Sequence, residues 1–585
     1  MRKAVLGFLV FGMVIGLGTR RVEAADKNAV IFVSVVRGRE FWRAGRDLEY
    51  LKRQKELLEN RGIPNTWLVQ YDALLDQQIV DEITRDVGAE KGMFLEVTPK
   101  LSLAAFVNYD WMSEKWERAD KVFVSGYEVL ERKRLIETAF EKFKERFGYF
   151  PKSVGAWYVD GASIEFMKEK YGIEAVLGVS DQYSTDGYQV WGQPVGVSYI
   201  PSRSSVIEPA AGDGDKLDVV KLQWAAREPL LAYGPSVEYS NYSVQVNDYF
   251  RFHGLGEKYI EGLIKTYTLG VDAKLSGLVL GLEVGELEDK YWVGLSDQLR
   301  LVERLGVDFL TMGEFGKEFK RVYGGANPFT VIKSQSADRG IEWYQTGWYR
   351  AGVTTVGGRR KLVDLRFYHS SSFCANDWVQ ADKRQNLYRV VPAVIDDVGL
   401  GNGVYFDNTG VEFGEDRIFV RGGIPLMELE KWPVTVTGDD EVTVIRSSSY
   451  PSGCRLGIYG FGDRIRRLLG RGVPDIRLSK LDGDWVVGLR IGPELLLGVD
   501  LGKRKVGTLS YPYPILESFL NLDKWRKPEG TGFFGREEDM VKRYAGQGEV
   551  VVKGAQYGTT DALSELGKRK SFEDSYYFVV SEPIE

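Results

Sequence analysis

The sequence predicts an α/β protein: a (β/α)7-type distorted barrel followed by a β-rich, sandwich-like C-terminal region. Three observations carry this. Apolar runs of strand length alternate with helical periodicities over about 300 residues, the pattern of a parallel sheet crossed by helices. The alternation stops near Gly324–Phe329, where short β-like runs separated by Gly, Asp and Asn turn signals take over. A chain of 585 residues is long enough for several domains. The expected divisions are a signal peptide over residues 1–24, a barrel over residues 28–325 and a β-rich part over residues 335–585.

The elements read in order. Arg2 and Lys3 precede an apolar stretch from Ala4 to Gly18, and Val22-Glu23-Ala24 supplies a small-x-small ending. That is a secretory signal, which predicts a secreted or extracytoplasmic protein; Arg20 and Arg21 leave an uncleaved N-terminal anchor as the alternative. The apolar stretch is short for a membrane span, and no later segment is apolar enough for one. Ala29–Val36 is the first barrel strand. A helix with Leu48, Leu51 and Leu58 on one side follows, closed by Gly62. Asn65–Tyr71 is the second strand and Gly92–Pro99 the third. Ile136, Ala139, Phe140, Phe143 and Phe147 form one helical stripe ended by Gly148. Ser153–Asp160 is a strand, Ser163–Tyr171 a helix closed by Gly172, and Glu174–Ser180 a strand. An irregular stretch rich in Tyr, Trp and Gly leads to a helix before the strand in Gly277–Glu286. Ser296 caps another helix, and Val307–Met312 is the last strand.

Composition narrows the chemistry. Net charge is −6 with no long basic block, which argues against a nucleic-acid partner. Aromatics make up 13%, including 31 Tyr and 14 Trp, and serve equally as sugar-stacking faces and as core filling. The two cysteines, Cys374 and Cys454, are candidates for a disulfide in an exported chain and too few for a metal cluster. The chain has two histidines, His253 and His369, so a Ser-His-Asp triad or a histidine metal site has little to draw on. No phosphate-binding loop or dinucleotide fingerprint occurs. We expect no cofactor and no metal, and any reaction in the barrel then falls to carboxylates and to Tyr, Arg or Lys.

Barrel active sites lie at the C-terminal ends of strands. The acids there are Glu96, Asp160, Asp181, Asp186, Glu283, Glu286 and Glu314. Each has a bland alternative: Asp160 as the cap of the helix after it, Asp181 and Asp186 as loop-forming residues, Glu96 as an outward-facing strand residue, Glu314 as a first-turn helix residue. Glu283 is the candidate nucleophile, and Asp160 or Asp181 the candidate acid. Carbohydrate sites combine stacking rings with amide and carboxylate hydrogen bonds. Trp157, Trp191, Gln223, Trp224, Arg227, Asn247 and Asp248 are the candidate substrate-binding residues, with a lid packed by its own aromatics as the alternative.

The order of these segments resembles the glycoside hydrolase/deacetylase barrel superfamily, the polysaccharide deacetylase (NodB-like) branch in particular, over roughly residues 28 to 320. "GIPNTWLV" (Gly62–Val69), the stretch from Phe147 to Asp186 and "LVLGLEVG" (Leu278–Gly285) carry the likeness. The resemblance implies a barrel and a carbohydrate substrate. It does not carry over a zinc-dependent mechanism. Where deacetylases hold paired Asp after the first strand, this chain has "VSVVRGREFW"; where they hold two histidines after the third strand, it has "MFLEVTPKL"; their last-strand histidine is matched by Glu283. The glycosidases of the superfamily need no histidine. The leading expectation is therefore a metal-independent glycosidase with paired carboxylates acting on a polysaccharide or cell-envelope glycan. The alternative is a non-catalytic glycan-binding or envelope scaffold protein on a degenerate deacetylase barrel. A third reading, a divergent deacetylase, needs a metal held by carboxylates and His253.

Overall fold

The computed structural model describes residues 28–421, except residues 44, 111–114, 204, 234–236, 287–290, 337–338, 369–380, 384, 392, 394, 399–403, 407–410 and 416, together with short strands between residues 434 and 578. The expected signal peptide, His369 and the Cys374–Cys454 pair lie outside the described residues.

In chain order the strands are β1 (Ala29–Val36), β2 (Thr66–Gln70), β3 (Glu90–Phe94), β4 (Ser153–Gly155), β5 (Ala175–Val179), β6 (Gln182–Thr185), β7 (Tyr188–Trp191), β8 (Val220–Trp224), β9 (Val271–Asp272), β10 (Gly277–Glu283), β11 (Asp308–Leu310), β12 (Thr330–Ser336), β13 (Arg339–Gln345), β14 (Tyr349–Val356), β15 (Arg359–Phe367) and β16 (Leu387–Val390). Seven of them run parallel in the order β10-β1-β2-β3-β4-β5-β8, a nearly closed barrel wall. The short β11 also pairs with β1, beside Ala29–Ile31, below the point where β2 joins at Val33.

Period-2 alternation decides which residues fill the barrel. Ile31, Val33 and Val35 of β1, Leu68 of β2, Phe94 of β3, Leu177 of β5, Leu222 of β8 and Val279 of β10 share one buried cluster inside it. The intervening Val30, Phe32, Leu278 and Leu280 belong to a second cluster with the outer helices. Each such fully buried aliphatic side chain contributes roughly 1.5–3 kcal/mol. The two ends of the sheet meet through Trp224 of β8. Its ring lies where a Cβ on Gly281 of β10 would stand, at 2.5 Å, so only glycine admits this approach.

The helical stripe read from Ile136 is the helix Val129–Phe147, closed by Gly148 at φ 83°. Several strands are shorter than the sequence suggests, including β11, which spans only Asp308–Leu310. β3 ends at Phe94 because Thr98 caps the helix Pro99–Ala104, accepting from the Leu101 N–H at 3.1 Å. β4 ends at Gly155, and Asp160 caps the helix Gly161–Tyr171. The stretch read as irregular holds the hairpin β6–β7 and the barrel strand β8, as well as the helix Val246–His253. The hairpin turns at Asp186-Gly187, with φ of 55° and 78°, the Asp-Gly turn that suits the twist of paired strands.

The C-terminal region forms an antiparallel sheet built on β12 to β15, and it is stitched into the barrel rather than appended to it. β9, which precedes β10, pairs with β12, and β16 pairs in parallel with β7. A fully buried ion network crosses the junction. Asp181, after β5, accepts from Arg350 of β14 at 2.6 Å; Arg350 holds Asp364 at 2.9 Å; Asp364 holds Arg366, which pairs with Asp396. Among the described residues no helix is long and apolar enough to cross a membrane.

Candidate active site at the barrel mouth

The alternation that fills the barrel runs to the strand ends or just past them and sets its uppermost layer. Val33 and Val35 lead to Arg37, Leu68 to Gln70, Phe94 to Glu96, Gly155 to Trp157, Leu222 to Trp224, and Val279 and Gly281 to Glu283. One cation, two acids, one amide and two indoles therefore stand together at the C-terminal mouth, where barrel sites form.

Arg37 organises this layer. Its Nε and Nη2 donate to the two oxygens of Glu96 at 2.7 and 2.8 Å, a bidentate pair, and its Nη1 donates to Glu283 Oε2. Gln70 Nε2 donates to Glu96 at 2.9 Å, and Gln70 Oε1 accepts from the Gly38 N–H at 3.0 Å, tying β2 to the loop after β1. The guanidinium carbon lies 5.1 Å from the Phe94 ring centre and 5.5 Å from those of Trp116 and Trp157. Trp42 closes the same loop, donating its indole N–H to the Arg37 carbonyl at 2.9 Å. Gly285, at φ 80°, allows the Trp42 ring to press against the backbone that carries Glu283. Glu96 is fully buried, while about a quarter of the Glu283 side chain remains exposed. Two hydrogen bonds and the width of one guanidinium keep these two carboxylates within about 8 Å of each other.

Around Glu283 stand three acids that hold their protons unusually well. Burial, then the Glu283 charge, pushes Glu286 up to about 7, with Arg43 at 3.6 Å opposing it. Burial pushes Asp248 up to about 6, against Arg227 at 3.7 Å and a 2.7 Å hydrogen bond from Ser243. Asp186, at the hairpin turn, is also raised, by desolvation and then by Glu283. A clamped carboxylate and proton-bearing acids side by side are the division of labour that acid–base chemistry uses.

The residues singled out by sequence fall into two groups. Glu283, Trp157 and Trp224 are in the mouth layer, and Asp248 is within electrostatic reach of Glu283. The others are engaged elsewhere. Asp160 is fully buried; it accepts from Arg132 at 2.8 Å, from the Ser163 N–H at 3.0 Å and from Ser163 Oγ at 2.7 Å, so its oxygens serve a helix cap and an ion pair. Asp181 accepts from Arg350 and from the Gly192 N–H at 2.7 Å. Trp191 is buried against Tyr233, 5.3 Å between ring centres. Gln223 donates to the Pro194 and Val197 carbonyls at 2.7 Å each. Arg227 donates to the Ser240 carbonyl, to Gln182 Oε1 and to the Asp181 carbonyl. Asn247 is half-buried beside Asp248 on the helix Val246–His253. The acid that complements Glu283 therefore has to be sought in Glu286, Asp248 or Asp186 rather than in Asp160 or Asp181. The sequence reading does not single out Arg37 and Gln70; following the inward parity of β1 and β2 to their C-terminal ends finds both.

The mouth does not fit the metal that a deacetylase resemblance implies. Glu96 and Glu283 converge on one point, but the Arg37 guanidinium fills it, and among the described residues no histidine joins them. His253 lies on an outer helix, stacked on Tyr242 with 3.6 Å between ring centres. Among the described residues no group of three His, Cys, Asp or Glu is placed to hold a metal ion.

A family model described as a domain of unknown function with solved structure (DUF3863) matches residues 112–243, which include Trp157, Asp186 and Arg227 but none of Arg37, Glu96 and Glu283. No curated protein matches the chain. Among solved structures, a candidate glycoside hydrolase/deacetylase of Parabacteroides distasonis is similar at 16% identity, over 61% of this chain and 89% of its own, with a TM-score of 0.46. A candidate polysaccharide deacetylase of Mycobacterium smegmatis is similar at 13% identity over 50% and 91%, TM-score 0.32. A mutant of a CE4-family pseudoenzyme with restored activity is similar at 8% identity over 50% and 68%, TM-score 0.26.

Proposed function

We propose that this chain is an exported carbohydrate-active protein whose barrel mouth hydrolyses a glycosidic bond without a metal. One observation carries the reading: Glu286, raised to about 7, stands beside Glu283, whose carboxylate is clamped by Arg37. Glu286 then gives its proton to the glycosidic oxygen as the bond to the leaving sugar breaks. The Glu283 carboxylate meets the positive charge that develops on the sugar carbon, and water completes the hydrolysis. Trp157 and Trp116, both partly exposed, supply apolar faces for sugar rings, with the buried Trp224 and Trp42 packed behind them. Export rests on the N-terminal sequence.

A second reading, glycan binding without turnover, is favoured by a different observation. Glu283 and Glu96 share one guanidinium, and a carboxylate so engaged is a weaker nucleophile. Release of reducing ends from a panel of polysaccharides decides between the two. The expected result is turnover by the wild type that declines as pH rises through about 7, and a loss of at least about 100-fold in Glu283→Gln and Glu286→Gln with binding retained. Binding without release in the wild type establishes the second reading. No glycan binding at all removes both.

A further inference from the structure

The Arg37 position has a consequence separate from any reaction. Two acids on different strands, Glu96 after β3 and Glu283 at the end of β10, point at one place inside the barrel mouth, with Gln70 of β2 beside them. Converging buried carboxylates require a positive charge between them. In this chain the charge comes from β1 itself: the Arg37 guanidinium is buried, its Nε, Nη1 and Nη2 all donate to the two acids, and three aromatic rings surround it. Burial works against its charge, and Glu96 and Glu283 more than offset this, so that its pKa is raised above the ordinary arginine value. The ion is thus covalently tethered and cannot dissociate or be chelated.

We propose that Arg37 is a resident cation, a guanidinium built into the position where Glu96 and Glu283 would otherwise take a divalent metal ion, so that the mouth is closed to metals only while this side chain is present. Without the guanidinium, Glu96 keeps the Gln70 Nε2 donor at 2.9 Å, and Gln70 keeps the Gly38 N–H at 3.0 Å. Removing the guanidinium therefore leaves oxygen donors facing a vacated pocket, a donor set suited to hard or borderline divalent cations. A histidine at position 37 adds a nitrogen ligand to two carboxylates.

The test uses the full chain and reads metal binding and thermal stability, not activity. Wild type, Arg37→Ala, Arg37→His and Arg37→Lys are stripped with chelator, then titrated calorimetrically with Mn2+ and Zn2+ and melted with and without each ion. The expected result is no stoichiometric binding and no chelator effect on melting for wild type and Arg37→Lys. Arg37→His should bind one ion per chain at least about tenfold more tightly than wild type, lose that binding when Glu96→Gln is added, and melt higher with the metal than without it. If Arg37→Ala and Arg37→His unfold when stripped, refolding on addition of Mn2+ or Zn2+ but not of a monovalent salt gives the same support. One-to-one binding by the wild type, or folded Arg37→Ala and Arg37→His that take up no ion, or unfolded variants that no divalent ion rescues, overturns the proposal. The glycosidase reading can fail with this result intact, because none of these readouts requires turnover.

Discussion

Replacing Glu286 by glutamine tests the electrostatics of the mouth directly. The carboxyl is raised from an ordinary 4.5 to about 7, first by burial and then by Glu283. A difference of about 2.5 at 1.36 kcal/mol each is worth about 3 kcal/mol. The raised value means that the folded state holds this proton more tightly than the unfolded chain does. The associated stability is complete below about 4.5, declines as pH rises, and is fully lost above about 7. Glutamine keeps the shape and removes the charge. Glu286→Gln should therefore be more stable than wild type by about 3 kcal/mol at pH 8 but by less than about 1 kcal/mol at pH 5. Urea unfolding of both proteins at the two pH values measures the difference. A gain that is equal at pH 5 and pH 8, or a variant less stable at pH 8, would refute the placement of Glu286 against Glu283 in a desolvated mouth.

Other perturbations separate the scaffold from the site. Asp160→Ala leaves Arg132 buried without its carboxylate and should cost about 3–5 kcal/mol in urea unfolding, while the activity per folded molecule remains. Asp181→Asn should cost a similar amount, about 3–5 kcal/mol, because it breaks the chain of charges to Arg350; limited proteolysis should then cut more readily near β12. Gly281→Ala drives a methyl into the Val33 carbonyl and the Trp224 ring and should destabilise by about 1–3 kcal/mol in the same assay. Trp157→Ala should weaken glycan binding, read by affinity electrophoresis in polysaccharide gels, and cost about 1–3 kcal/mol in urea unfolding because the ring packs on Phe94 at 5.2 Å and Trp224 at 5.5 Å.

Much of the barrel was legible because its strands are apolar on both faces and its helices carry clear stripes and Gly stops, as at Gly148 and Gly172. The strand β8 was not, since "VVKLQW" is embedded in a stretch whose Tyr, Trp and Gly content reads as loop. The candidate site divided along a physical line. Glu283 stood out as an acid at the end of an apolar run, which is a local feature. Asp160 and Asp181 have the same local appearance, yet their partners are Arg132, 28 residues away, and Arg350, 169 residues away, which no local pattern announces. Nothing local marks Arg37, which stands one residue past β1; only the parity inherited from Val33 and Val35 directs it inward.

The Asp181–Arg350 pair also imposes a schedule on synthesis. The chain emerges at about 5–20 residues per second, so the 169 residues between the two take on the order of 10–30 s to appear. During that interval β5 exists and its terminal carboxylate has no guanidinium to meet, and β7 likewise waits for β16 to lie beside it. A nascent chain arrested at residue 325 holds every barrel strand but not the charge that neutralises Asp181. The Asp181 junction therefore reaches its final pairing only after Arg350, well beyond the last barrel strand, has left the ribosome. A fragment cut at that apparent boundary would retain the β–α pattern and lack the counter-charge that lets it be buried.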